Sequence, residues 1–172
     1  MAPRAHRPPP RAQRRTALLV GEGLAEQVFL SHLKALYVAR GTKSVTVKNA
    51  KGKGGAHVLD FALRQWQQAA FDEAAVMLDT DVQWGEPQRA KARQKKVQVF
   101  EATPCLEALL LQIDRPGVPA GDAAALKRQF VQRFGAEAHK PDIYECHFGQ
   151  AVLDAAAKRL SVLAALIDFL RR

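Results

Sequence analysis

Short apolar segments that end in acidic residues constrain the fold of this chain more than any other feature. Ala17 to Val20 leads into Gly21-Glu22-Gly23, and Ala75 to Leu78 leads into Asp79-Thr80-Asp81. Continuous apolar runs of this length are typical of strands that are buried on both faces of a parallel sheet. Because the acids that follow resist burial, we expect each to lie at the edge of the sheet where its strand ends.

Helical periodicity fills the intervals between these segments. Apolar residues recur at helical spacing from Leu24 to Ala39 and from Ala56 to Ala69, and further strands are predicted at Ser44 to Lys48, near one edge of the sheet, and at Lys96 to Phe100. Glu86 to Lys95 is predicted to be a short charged helix or a loop. The order βαβαβ(α)β predicts an α/β fold with a four-stranded, mainly parallel sheet flanked by helices.

The chain divides by composition into three parts. Residues 1–15 are rich in Pro and Arg, and this composition predicts a flexible basic arm. Residues 16–113 form the predicted α/β core. Residues 114–172 predict a helical extension packed on the core, with helices at Asp122 to Phe134 and Phe148 to Leu170. A chain of 172 residues with 48% hydrophobic and 25% charged residues is sufficient for one globular domain.

Hydropathy and cysteine content predict a cytoplasmic protein. No apolar run approaches the ~20 residues that a membrane span requires, so no membrane association is expected. The N-terminal segment is basic but lacks the apolar centre of a secretory signal. Cys105 and Cys146 lie far apart, which predicts buried or free thiols and argues against a zinc site.

The net charge of +9 is concentrated in clusters. Basic charge beside an acidic site suits a polyanionic substrate, so we expect nucleic acid as a partner; the alternative is a solvated, solubilising surface. The segment Lys51 to Gly55 either cradles a phosphate through backbone N–H groups at the start of a helix or forms a basic hairpin or mobile loop. The predicted nucleic-acid-binding residues are Lys51, Lys53, Arg89, Lys91, Arg93, Lys95 and Lys96.

The acids after the strands predict a metal site. Ligands bind beyond the carboxyl ends of parallel strands, so Glu22, Asp79 and Asp81 should meet at one edge. Asp79 and Asp81 are two residues apart, which in a strand-like segment puts both carboxylates on one face toward one hard cation or two. Two cations about 4 Å apart would clamp a phosphodiester during hydrolysis. An ordinary Asp-rich turn is the alternative.

Two further acids have more than one interpretation. Glu26 lies four residues after Glu22, where it either faces the same crevice or stabilises the helix dipole in a first turn. Glu107 interrupts an apolar helix predicted from Pro104 to Ile113, with Thr103 as its cap. A carboxylate in that setting needs a cationic partner, which is either a metal or a nearby Lys or Arg.

Together these segments resemble the RloB-like family of the TOPRIM superfamily. The resemblance covers about residues 16–170, and its most specific part is the Pro-Cys-x-Glu element. The chain departs from the pattern of that family in three ways. The first motif has one residue fewer between its acids, Ala25 stands where Thr is common, and Thr103 stands in place of Asn. The matching stretches are Val20 to Glu26, Gly52 to Gly55, Leu78 to Asp81 and Thr103 to Leu110, with a weaker match at Leu126 to Phe130.

The resemblance implies a Mg²⁺- or Mn²⁺-dependent nuclease acting on RNA or DNA, from gene sets of mobile elements or phage defence, with a protein partner encoded nearby. It assigns proton transfer and metal contact to Glu22 and metal binding to Asp79 and Asp81, with Glu26 and Glu107 as further ligands. One alternative is a non-catalytic module that binds nucleic acid or a partner. Another is a haloacid-dehalogenase-type phosphatase, suggested by the segment 78–82.

Overall fold

The computed structural model of this chain describes residues 14–81 and 83–172. Residues 1–13, which make up most of the predicted basic arm, and Val82 lie outside this part. The prediction of a flexible arm therefore falls outside the described residues. Within them, no helix is both long enough and apolar enough to cross a membrane.

The sheet contains four parallel strands, as the sequence predicts. The strands are β1 (Arg15–Gly21), β2 (Lys43–Asn49), β3 (Glu73–Asp79) and β4 (Gln98–Ala102). Their spatial order is β2-β1-β3-β4, which puts β2 at an edge as expected. The register pairs Gly21 with Asn49 on one side and with Met77 on the other, so neighbouring strands end close together.

Both faces of the sheet are buried, which explains the continuous apolar runs. Leu19 and Met77 belong to the larger core on one face, whereas Leu18 and Val76 belong to the smaller core on the other. Side chains alternate between the faces of a strand, so every residue of a doubly covered strand must be apolar. Helix α1 (Leu24–Tyr37) packs on the first face, and α2 (Gly54–Ala69) and α3 (Glu86–Gln94) pack on the second.

Helix α2 and strand β4 each begin two residues away from their predicted positions. Helix α2 begins at Gly54 instead of Ala56. Gly55 is required there, because a Cβ on it would lie 2.7 Å from the Trp84 ring. Strand β4 begins at Gln98 instead of Lys96, because Lys96 has a φ of 57° and belongs to the turn that closes α3.

The predicted single helix from Phe148 to Leu170 is wrong. The chain forms α7 (Gln150–Ala157) and α8 (Ser161–Arg171), preceded by α6 (Pro141–His147), which the sequence analysis did not predict. Tertiary contacts cause the break, since Arg159 turns back to donate hydrogen bonds to the carbonyls of Gln112 and Ile113 at the end of α4 (Leu106–Asp114). The remaining helix, α5 (Ala123–Phe134), begins after the capping side chain of Asp122.

The strand order creates a crevice between β1 and β3. From β1 the chain moves outward to β2, and from β3 it moves outward in the opposite direction to β4. The connections after β1 and β3 therefore leave on opposite faces of the sheet and open a gap beyond the carboxyl ends of these two strands. Glu22 and Asp79 stand at this gap.

Helix α8 shares the larger core with the sheet, so we expect the C-terminal helices and the sheet to unfold together. Leu166 is fully buried in that core. Leu166→Ala should lower the free energy of unfolding by about 2–5 kcal/mol in one cooperative transition, measured by urea denaturation. Val152→Ala on α7 is the control, because Val152 is 41% exposed. Two separate transitions, or an equal effect of both substitutions, would contradict a shared core.

Candidate functional site

Backbone hydrogen bonds join the loops that follow the four strands. The N–H of Glu22 donates to the Met77 carbonyl at 3.1 Å, and the N–H of Gly52 donates to the Glu22 carbonyl at 2.8 Å. The N–H of Thr80 donates to the Ala102 carbonyl at 3.1 Å. The segments at the carboxyl ends of the four strands are therefore connected to one another below the crevice.

The carboxylate of Asp79 is fixed by a bond to α4. Its Oδ1 accepts from the Leu106 N–H at 2.9 Å, so a residue of β3 satisfies a free donor at the start of another element. Thr103 does not have its predicted capping role: the helix begins at Leu106 after Cys105, and the Thr103 hydroxyl accepts from Thr80. Long-range pairing with Asp79 replaces the local cap that the sequence suggested.

Glu22 is held against the same strand end. Its Oε2 accepts from the Asp79 N–H at 3.2 Å, and its side chain is half-buried beyond β1. One oxygen of each of these two carboxylates is thus bound to a backbone N–H. The structure brings Glu22 and Asp79 together, as the order of the strands predicts.

Glu26 combines the two interpretations of its position. It is only 6% exposed, and its Oε2 accepts from the Gly23 N–H at 2.8 Å at the start of α1. The close approach depends on Gly21, because a Cβ there would lie 2.7 Å from the Cβ of Glu26. Glu26 is therefore both a capping residue and a buried acid next to Glu22.

Glu107 and Asp81 differ in how closely they join this group. Glu107 is the second residue of α4, is half-buried, and its charge acts on both Glu26 and Asp79. Asp81 lies beyond the last residue of β3 and is exposed. Because β3 ends at Asp79, Asp81 is not part of a strand. The strand alternation that was expected to put both carboxylates on one face therefore does not extend to Asp81.

The pKa shifts reflect the gathering of these acids. Burial is the main cause that raises the pKa of Asp79 to about 8, and the charges of Glu26, Glu22, Glu107 and Asp81 contribute to this rise in that order of strength. Burial also raises the pKa of Glu26, with contributions from Glu22 and Glu107, although hydrogen bonds from its own N–H and that of Gly23 oppose the shift. Ionisation at this edge is costly unless a cation is present.

Lys127 on α5 is a cation near the acids that the motifs of the sequence did not indicate. Partial burial alone would lower its pKa, but electrostatic interactions with the nearby acidic groups of Glu107, Asp79, Cys105 and Asp81 raise it on balance. Within the described ranges Lys127 forms no direct ion pair. In the sequence, only the weak family match around Leu126 to Phe130 pointed to this residue. Its position near the acids arises from the packing of α5 on α4, which no local pattern shows.

The donor set fits a hard divalent cation in kind. Glu22, Asp79, Glu26 and Glu107 offer carboxylate oxygens, which Mg²⁺ and Mn²⁺ prefer. Across residues 14–81 and 83–172, no three His, Cys, Asp or Glu side chains are arranged so that they could hold a metal ion. The usual Mg²⁺ mode needs only one or two carboxylates, together with waters and substrate phosphates.

The Lys51 to Gly55 segment lies beside the acids. Lys51 and Lys53 have positive φ angles of 65° and 76°, which are uncommon for residues with a Cβ, and the N–H of Gly52 is bonded to Glu22. Both lysine residues are exposed and precede the N-terminus of α2. The loop thus combines two cations with a helix N-terminus next to the crevice.

Ion pairs engage much of the predicted basic cluster from Arg89 to Lys96. Arg89 donates to both carboxylate oxygens of Glu101, at 2.6 and 3.0 Å. Lys91 is paired with Asp60 at 2.6 Å, and Arg93 is paired with Glu86. Lys95 and Lys96 form no ion pair with another described residue. Partners neutralise three of the five cations, and Lys95 and Lys96 precede β4, at the opposite edge of the parallel sheet from the acids. Lys51 and Lys53 are therefore the stronger candidates for nucleic-acid contact.

Comparison with known proteins does not assign the chain to a family. Searches of protein-family models, of curated proteins and of solved structures find no match to the chain. The resemblance to RloB-like proteins therefore stays a prediction from the sequence. The described residues form an α/β fold with a four-stranded parallel sheet flanked by helices and an acidic cluster at its switch point.

The raised pKa of Asp79 predicts how metal-free stability depends on pH. The folded-state pKa of about 8 exceeds the ordinary value of 3.8, so the folded protein binds this proton more tightly than the unfolded chain. The free energy of unfolding should therefore fall as pH rises from about 4 to about 8. Asp79→Asn removes the ionisation and should raise the melting temperature in EDTA at pH 8, by about 2–4 °C per kcal/mol relieved.

Thermal unfolding in EDTA at pH 4, 6 and 8 measures this effect. The gain from Asp79→Asn should shrink toward pH 4, where both states are protonated. Asp60→Asn is the matched control, because Asp60 forms a half-exposed ion pair with Lys91. A lower melting temperature for Asp79→Asn than for the unaltered protein at pH 8 would contradict the account.

Proposed function

We propose that this chain is a Mg²⁺- or Mn²⁺-dependent nuclease of TOPRIM type that hydrolyses phosphodiester bonds in RNA or DNA. The main support is the group of Glu22, Glu26, Asp79 and Glu107 beyond the carboxyl ends of β1 and β3, where their charges act on one another. Repelling acids at the ligand-binding edge of a parallel sheet are a costly arrangement that a cation would relieve. The exposed lysine residues beside it suit a polyanionic substrate.

The residues that would hold the cation are Glu22 and Asp79, with Asp81, Glu107 and Glu26 as further ligands. When bound, the metal supplies Lewis-acid stabilisation of phosphate oxygens and lowers the pKa of water. Backbone donors orient the ligands: the Leu106 N–H fixes one oxygen of Asp79, and the Asp79 N–H fixes one oxygen of Glu22. Such outer contacts limit the reorganisation needed when a ligand binds.

The other residues of the site would act on protons and charge. Glu22 accepts a proton from the attacking water, because its side chain has one oxygen that is not used by the Asp79 N–H. Lys127 balances the negative charge that develops on the phosphate, since its ammonium already lies in the field of Glu107 and Asp79. Lys51 and Lys53 hold flanking phosphates without reading the sequence.

A second candidate is a module that binds nucleic acid or a protein partner without cleaving. It is favoured by the exposed lysine residues Lys51 and Lys53, which would bind a phosphate backbone whether or not it is cleaved. A haloacid-dehalogenase-type phosphatase has less support, because that chemistry normally begins at the first strand and Asp79 ends β3. Cytoplasmic location, a role in phage defence and a partner encoded nearby remain predictions.

Glu22→Gln tests the nuclease directly. With Mg²⁺ present, cleavage of single-stranded and double-stranded RNA and DNA should fall by about 10²–10⁴-fold, because the proton acceptor is lost. Binding measured in EDTA should change little. The matched control is Glu86→Gln on α3, whose side chain is 69% exposed and pairs with Arg93 at the surface. Undiminished cleavage by Glu22→Gln, or no Mg²⁺-dependent cleavage by the unaltered protein, would contradict the proposal.

A further inference from the structure

A cavity of about 560 Å³ opens beside the acidic cluster. Its lining comes from α1, α4, α5 and the segment that precedes α6. Glu107 of the acidic cluster lines this cavity, and Lys127 lines it as well. The cavity therefore shares Glu107 with the proposed cleavage site.

One part of the cavity wall is apolar. Phe130 and Ala138 are buried at its base, and Ala25 contributes from α1. Val131 lies at the opening and is 40% exposed, although it is large and apolar. A flat apolar group such as a nucleobase would gain contact area here.

The other part of the wall is cationic. Lys127 and Arg128 are successive residues of α5, and within the described ranges neither forms an ion pair. Arg133 on the same helix is held by Asp114 at 2.8 Å, so free cations are not a general property of α5. His139 also lines the cavity, with its Nδ1 3.3 Å from the Glu137 carboxylate. An Arg without a carboxylate partner suits a phosphate.

We propose that this cavity binds one unpaired nucleotide adjacent to the phosphate that is cleaved. The base contacts the apolar wall at Val131 and Ala25, and Arg128 contacts a neighbouring phosphate. The volume falls within the 300–1,000 Å³ typical of small-molecule sites. Because a base in a duplex is stacked and paired, it cannot enter the cavity without leaving the duplex. The substrate class is therefore single-stranded nucleic acid or an unpaired segment, an inference that rests on the proposed nuclease.

Two substitutions test the cavity without touching the acids. Val131→Trp fills the opening, and Arg128→Ala removes the phosphate contact. Val152→Trp on α7 and Arg64→Ala on α2 are the matched controls, because both positions are exposed and neither lines the cavity. Melting temperatures of all four variants verify that they fold.

The first measurement is binding of adenosine and uridine 5′-monophosphate in EDTA by calorimetry. Each test substitution should weaken binding by about tenfold or more, and the two controls should bind like the unaltered protein. Because metal is absent, this result does not depend on cleavage: cavity-dependent binding without any nuclease activity would support the cavity and refute the proposed function. No binding, or equal binding by all variants, would overturn the inference.

The second measurement is kcat/KM with Mg²⁺ on a single strand and on the same sequence as a blunt duplex. The unaltered protein should favour the single strand by about tenfold or more, and Val131→Trp should lose most of its activity on that strand. Equal cleavage of both substrates, or full activity of Val131→Trp on the single strand, would overturn the inference while leaving the proposed nuclease intact.

Discussion

The hydrogen bond from the Leu106 N–H to Asp79 Oδ1 is the contact on which the arrangement of the site depends. It fixes the start of α4 relative to the end of β3 at 2.9 Å, and the N–H of Asp79 in turn holds Glu22 at the end of β1. The same contact brings Glu107 into the first turn beside the other acids. Burial of Leu109 and Leu110 in the larger core holds the rest of α4, so this bond sets the position of its first residue relative to Asp79.

The cations near the sheet differ in whether they are paired with a carboxylate. Arg89 and Lys91 on α3 are engaged by carboxylates, whereas Lys127 lies close enough to feel the acids without pairing directly with one. Repulsion and burial together raise the pKa of Asp79 and Glu26, so the folded chain carries an electrostatic cost at this edge. A residue pattern that costs stability where the topology creates a crevice is typical of a site kept for binding or chemistry.

The sequence predicted the elements that local patterns determine. Apolar runs identified the strands, and acids after β1 and β3 identified the edge where Glu22 and Asp79 meet. Patterns failed where distant contacts decide: Arg159 breaks the last predicted helix, and Asp79 replaces Thr103 as the partner of α4. Lys127 had only a weak signal, since its nearness to the acids arises from the packing of α5 against α4.

Divalent-cation binding tests the central claim that the gathered carboxylates form a metal site. Mn²⁺ titration followed by electron paramagnetic resonance reports free and bound ion without requiring turnover. We expect saturable binding by the unaltered protein, competition by Mg²⁺, and binding weakened by about tenfold or more in Asp79→Asn, because a charged ligand is lost. Binding should persist in Asp60→Asn, whose carboxylate pairs with Lys91. No saturable binding, or equal binding by Asp79→Asn, would contradict the claim.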